Sequence, residues 1–257
     1  MHRLAAVPGL PEGPGADGQI PYVEQPPAPV LLLSSADTDL VAIADVLARQ
    51  PDLLGVEARA LNLAALSHPA VIDHYLTSTV AQARLVLVRL LGGRGHWSYG
   101  LEQLQAWARQ PGQDGAARQL LVLSGTPELD QELAALGTVP APLSIAMAAC
   151  LRVGGADNLA VVLQTLAALL SGERPDPPVV VPAPDPLPHD WRQDPGARVG
   201  VLLYRALHQA GDNALMEAVL KDPEAMEGSP ELAIAHRMSV AEYERLTPYS
   251  KRLEENW

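Results

Sequence analysis

An α/β fold is predicted for residues 30–170, with an open, mostly parallel sheet, helices on both faces and a helical segment at the C-terminal end of the chain. Three observations predict it. Short continuous apolar runs recur at Val30–Leu33, Leu85–Leu91 and Gln119–Leu123; stretches with helical spacing of apolar residues separate them; and Gly, Ser or Pro follows each run. Parallel neighbours need a long crossover connection, so strands alternating with helices at this spacing imply a parallel sheet covered on both sides.

The elements follow in order. Residues 1–29 form a proline- and glycine-rich arm with few apolar residues, suited to extended backbone. Val30–Leu33 is the first strand. Ser34–Asp39 supplies helix-capping residues, and Leu40, Val41, Ile43, Ala44, Val46 and Leu47 line one helical face. Val56–Leu61 reads as a second strand, Ala64–Ala81 as a helix and Leu85–Leu91 as a buried strand ended by Gly92-Gly93-Arg94-Gly95. Leu101–Arg109 is an amphipathic helix closed by Pro111-Gly112, Gln119–Leu123 a strand, and Glu128–Leu136 a helix. Leu143–Leu151 and Asp157–Leu170 are helical, split by Gly154-Gly155. Residues 171–197 form a proline-rich linker in which Val179–Val181 is a candidate edge strand. Residues 198–222 hold a strand (Val199–Tyr204) and a helix (Asn213–Leu220), opening a second α/β region. Residues 223–257 form a charged helical tail, with Ser239 and Glu242 spaced as a capping box.

Composition narrows the function. The 257 residues are 48% hydrophobic and contain no Phe, so the core is built from Leu, Val, Ala and Ile. A formal net charge of −12 without a basic cluster argues against nucleic acid and anionic membranes as partners. Cys150 is the single cysteine, which excludes an intrachain disulfide and a cysteine zinc cluster and fits a reducing compartment. No signal peptide or long apolar span is read, and the expectation is a cytoplasmic protein. A phosphate-binding loop ending in Gly-Lys-Ser/Thr is absent, as is a Gly-x-Ser-x-Gly elbow, so neither ATP hydrolysis nor serine acyl transfer is supported. His68 and His74 lie six positions apart, about 600° of helical turn, and do not share a metal.

Leu90–Gly100 carries the most chemistry. Gly92, Gly93 and Gly95 permit close backbone approach beyond a strand C-terminus, where open α/β sheets bind ligands. Arg94 is suited to carboxylates, and Trp97 and Tyr99 to stacking on a flat ligand or to covering the sheet edge. Tyr204–Asn213 places Arg205 and His208 past another strand. The two loops either converge on one crevice or are unrelated.

These residues carry a resemblance. Arg89–Gly100 resembles an N-terminal signature of the large, CobN-type subunit of ATP-dependent cobaltochelatases, themselves related to the large magnesium-chelatase subunit. Val199–Asn213 is similar to a later segment of that family, and Leu246–Trp257 to one much further along. Family chains are several times longer, so the order of the matches implies a shortened form with an internal deletion near Lys221–Ser229. The resemblance implies a part in cobalamin biosynthesis: the large subunit binds the corrin precursor, hydrogenobyrinic acid a,c-diamide, with Co²⁺ as substrate, while AAA+ partner subunits hydrolyse ATP. The reaction class is a metal–nitrogen bond-forming ligase. Arg89, Arg94, His96, Trp97, Tyr99 and Arg205 are the candidate corrin-binding residues; no catalytic or metal residue is carried over, and no bound cofactor is assigned. The alternative is a non-catalytic module or relic fragment that docks chelatase subunits.

Overall fold

The computed structural model describes residues 22–182, all in the first of the two units into which the chain divides, Met1–Ala183. Four parallel strands, β1 (Val30–Ser34), β2 (Ala58–Asn62), β3 (Leu85–Leu90) and β4 (Gln119–Ser124), form one sheet in the order β2-β1-β3-β4. The helices are α1 (Asp37–Arg49), α2 (Pro69–Ser78), α3 (Ser98–Ala108), α4 (Asp130–Ala134), α5 (Ala141–Val153) and α6 (Ala156–Leu170). Every residue of β1 and β3 is buried, which is why both read as nearly continuous apolar runs, broken in β3 only by Arg89, and not as alternating patterns.

Side chains alternate across the strands. Leu31, Leu33, Val86, Val88, Leu90, Leu120 and Val122 meet Tyr75 of α2 and Leu101 and Leu104 of α3 in one core. Leu32, Leu87 and Leu121 face the other way and are equally buried, as are Ile43 and Val46 of α1, Met147 of α5 and Leu163 and Leu166 of α6. Each buried Leu or Ile contributes about 1.5–3 kcal/mol, so two such layers hold the sheet without a single Phe. The chain passes from β1 to β2 on one side and then to β3 on the other side of β1. The loops after β1 and β3 therefore leave toward opposite faces, and their junction is the topological switch point of the sheet.

Three elements depart from the sequence reading. The expected helix over 64–81 is broken into a 3-10 turn (Leu63–Leu66), α2 and a second 3-10 turn (Val80–Gln82). His68 precedes Pro69 and is held extended (φ −104°, ψ 136°), and its Nδ1 accepts a bond from Ala70 N at 3.1 Å; the residue before a proline avoids helical backbone, so the helix restarts there. The helix over 128–136 shrinks to the five residues of α4, because the chain must return to β4, where Thr138 N donates to Leu120 O at 2.8 Å. Val179–Val181 forms no strand. The amide of Asn158 instead takes both Val181 N (2.9 Å) and Val181 O (2.8 Å), and the flanking prolines have no N–H to build a ladder.

The end of the arm, residues 22–29, runs extended along the body. Gln25 is buried and fastens it: its Nε2 donates to Ala60 O (3.1 Å), its Oε1 accepts from Tyr75 OH (2.6 Å), and its carbonyl accepts from Thr79 Oγ1 (2.7 Å). The strand and helix expected over 198–222 and the tail over 223–257 lie outside the described residues.

Candidate functional site

The C-terminal edge of the sheet collects the chemistry-bearing side chains. Register pairs Ser34 with Arg89 across β1 and β3, and both point to the face of α1. The Arg89 guanidinium pairs with Asp39 Oδ1. Ser34 Oγ donates to Asp39 Oδ2 at 2.5 Å and accepts from Ala36 N at 3.1 Å. Arg89 and Asp39 are about nine-tenths buried, at 7% and 9% exposure, so the pair sits in a weakly screened interior where either charge alone is costly. One guanidinium donor, Arg89 Nε, is buried without a partner among the described residues.

Above this pair lies the glycine loop. Gly92 adopts φ +107°, open to glycine, and a Cβ there would stand 3.1 Å from the His96 ring. The imidazole thus lies over Gly92, exposed and without a hydrogen bond among the described residues. Arg94 is half exposed and reaches Glu102 Oε1 at 3.7 Å, a loose surface pair worth about 0–1 kcal/mol. A 3-10 turn over Arg94–Trp97 then leads into α3.

Trp97 is turned inward. It is buried, its Nε1 donates to Leu66 O at 2.9 Å, and its ring lies so close to Gly100 that a Cβ there would come within 2.2 Å. The indole seats the start of α3 on the turn after β2, a contact that buries the largest ring in the loop. Tyr99 donates its hydroxyl to Asp73 Oδ1 at 2.7 Å, which raises the phenol pKa above its ordinary value, helped by desolvation and the Asp73 charge. Arg205 lies outside the described residues. Of the six candidates, the structure brings Arg89, Arg94 and His96 to one edge, spends Trp97 on the core and ties Tyr99 to α2.

Two participants escaped the sequence reading. Asp39 was taken only as a capping residue, although the lone charge in the run Leu85–Leu91, Arg89, signals a buried partner. Arg152 of α5 holds Asp130 with two bonds of 2.8 Å each and leans on Ser124 O at 3.4 Å, closing the end of β4. Cys150 is buried, and burial pushes its thiol pKa up, away from nucleophilic use. Among the described residues no group of three His, Cys, Asp or Glu could hold a metal ion, and no helix is long and apolar enough to cross a membrane.

Two cavities open at the opposite, N-terminal end of the sheet. One of about 280 Å³ lies among Leu53–Val56, Arg84 and Leu170. The other, of about 530 Å³, lies among Gln119, Thr138–Pro140, Leu169 and Pro175.

No protein-family model matches the chain. It is 32% identical over 246 residues to the aerobic cobaltochelatase subunit CobN of a Sinorhizobium species, covering 88% of this chain and 18% of that one. It is 34% identical over 172 residues to the same subunit of Pseudomonas aeruginosa, covering 67% of this chain and 13% of that one. A 44-residue stretch is 54% identical to the rice magnesium-chelatase subunit ChlH, 17% of this chain and 3% of that one. The fold superposes on the catalytic subunit of cobaltochelatase from Mycobacterium tuberculosis with a TM-score of 0.50 and 29% identity, over 79% of this chain and 15% of that one. By sequence and by fold the chain belongs to the CobN-type cobaltochelatase subunit family, related to ChlH, and spans less than a fifth of the length of the curated CobN relatives it matches.

Proposed function

We propose that this α/β region serves cobaltochelatase in cobalamin biosynthesis by holding one edge of the corrin precursor, hydrogenobyrinic acid a,c-diamide, while AAA+ partner subunits supply ATP-driven work and Co²⁺ is the metal substrate. The observation that carries the reading is the Gly92–His96 loop at the C-terminal edge of the sheet. It presents a half-exposed Arg94 and an exposed, unbonded His96 over a glycine backbone, in a chain about one third identical to CobN subunits. Arg94 suits the peripheral carboxylates of the macrocycle, since guanidinium and carboxylate match as a fork. His96 suits an amide or the macrocycle face. The chain's own part is to bind and orient; no bond-making step is assigned to its residues.

The test is an absorbance titration of the full 257-residue chain with hydrogenobyrinic acid a,c-diamide, repeated with Arg94→Ala/His96→Ala. Saturable binding weakened about tenfold or more, the loss of about 1.4 kcal/mol expected for a charge-assisted contact, supports the reading. Equal binding by both proteins, or none by either, overturns it.

A second reading has its own support. Trp97 gives its ring to the core and the two cavities described lie away from the loop, which suits a module docking on the chelatase. Capture of the AAA+ subunits by a chain that fails the titration would favour it.

A further inference from the structure

We propose that Gln25 is a positioning residue for the Gly92–His96 loop, acting through α2, to which both the arm and the start of α3 are tied. The inference takes that loop as the binding edge from the reading above. Three consecutive residues of α2 carry it. Successive helical residues stand about 100° apart, so Asp73, His74 and Tyr75 point in different directions. Tyr75 and His74 meet the arm: the Tyr75 hydroxyl donates to Gln25 Oε1 at 2.6 Å, and His74 Nε2 lies 3.0 Å from Glu24 Oε1, with its ring 4.6 Å from that of Tyr22. Asp73 meets α3 instead and accepts the Tyr99 hydroxyl at 2.7 Å, three residues beyond His96. Trp97, next to His96, bonds Leu66 O just ahead of α2, so the turn that carries Arg94 and His96 has two bonds to the segment the arm holds. The His96 imidazole makes no hydrogen bond of its own among the described residues, and its place is set by Gly92 beneath it and by that turn. Gln25 is the strong part of the arm's hold. It is 5% exposed and serves three buried groups at once: Ala60 O, the Tyr75 hydroxyl and, through its own carbonyl, the Thr79 hydroxyl. Its removal strands all three together, so the hold on α2 is kept or lost in one step.

The experiment reads the His96 ring by NMR in the full chain without ligand, so this inference and the corrin reading can fail separately. The variants are Gln25→Ala and the milder Tyr22→Ala/Glu24→Ala, which removes exposed side chains only, each made alone and on a Tyr99→Phe background. The His96 signal is identified by its loss in His96→Gln, and the Trp107 indole signal near the far end of α3 reports general loosening. The expected result is that Gln25→Ala displaces the His96 signal by more than its linewidth while Trp107 stays in place. The exposed pair displaces it the same way to a smaller extent, and Tyr99→Phe cuts both displacements to less than half. A His96 signal unmoved in Gln25→Ala, or moved equally with and without the Tyr99 hydroxyl, overturns the proposal, as does displacement of His96 and Trp107 together. If Gln25→Ala does not fold, the exposed pair decides by the same criteria.

Discussion

Two buried arginines, one at each end of the sheet, are paired by opposite means, and each keeps its Nε without a hydrogen bond among the described residues. Arg89, at the C-terminal edge, is paired with a carboxylate. Arg118, just before β4 at the N-terminal end, has no carboxylate partner among the described residues; its terminal nitrogens donate to Trp107 O (3.0 Å) and Ala81 O (2.9 Å), and its guanidinium lies 5.0 Å from the Trp107 ring centre. Arg84 at the same end donates to Leu170 O, the last residue of α6, at 3.0 Å. Strand direction explains the difference. In a parallel α/β sheet, helices end where strands begin, so the N-terminal end is lined by unsatisfied helix carbonyls that hold cations. Helices begin where strands end, so the C-terminal edge carries backbone N–H groups, and a buried cation there needs a carboxylate from the chain itself. The edge suited to anions is therefore the one that carries Arg94, His96 and the Arg89–Asp39 pair.

The largest effect should come from breaking the unequal arginines. Arg89→Met leaves the Asp39 carboxylate buried without its counter-charge, held only by Ser34, and should cost about 3–5 kcal/mol, whereas Arg118→Met strands only neutral carbonyls and should cost about 1–3 kcal/mol. Urea unfolding midpoints at unchanged slope decide it, and equal losses would erase the contrast. Gly100→Ala comes next: the added methyl meets the Trp97 ring, and overpacking of this kind costs about 1–3 kcal/mol.

An alkaline limit is set by Tyr75, whose phenol is buried and kept well above its ordinary pKa by that burial. The unfolded chain ionises near pH ~10, so the contribution of Tyr75 is complete below that pH and is lost as pH rises above it. Phenolate absorbance should show this tyrosine ionising only together with unfolding. Trp97→Phe should cost about 1 kcal/mol through the lost bond to Leu66 O and leave the corrin titration unchanged; a large fall in affinity would support a stacking role instead. The smallest stability effect belongs to Arg94→Ala and His96→Ala, within about 0.5 kcal/mol, because both side chains are exposed. They sharpen the comparison by altering binding alone.

β1, β3 and β4 were legible because burial on both faces writes itself as nearly continuous apolar runs, and the glycine loop because Gly92, Gly93 and Gly95 directly follow such a run. What escaped detection depended on distance or direction. Arg89 is visible as the lone charge within Leu85–Leu91, but Asp39 lies 50 positions away, and periodicity says nothing about pairing across a sheet. The pattern Arg-Gly-His-Trp does not tell which aromatic turns inward; the Trp97 ring packs where Gly100, lacking a Cβ, leaves it room. The break at His68-Pro69 was written in the sequence as a proline and was overridden by the apolar spacing around it, whereas the proline fixes the backbone ahead of it whatever the spacing favours.

The most direct test of the account is a hydrogen-exchange footprint of the full chain with and without hydrogenobyrinic acid a,c-diamide. The account predicts added protection in the loops over 35–39, 91–96 and 125–126 at the C-terminal edge, and none over 52–56 and 138–143 around the cavities. Protection confined to the cavity segments, with the Gly92–His96 loop unchanged, would contradict it.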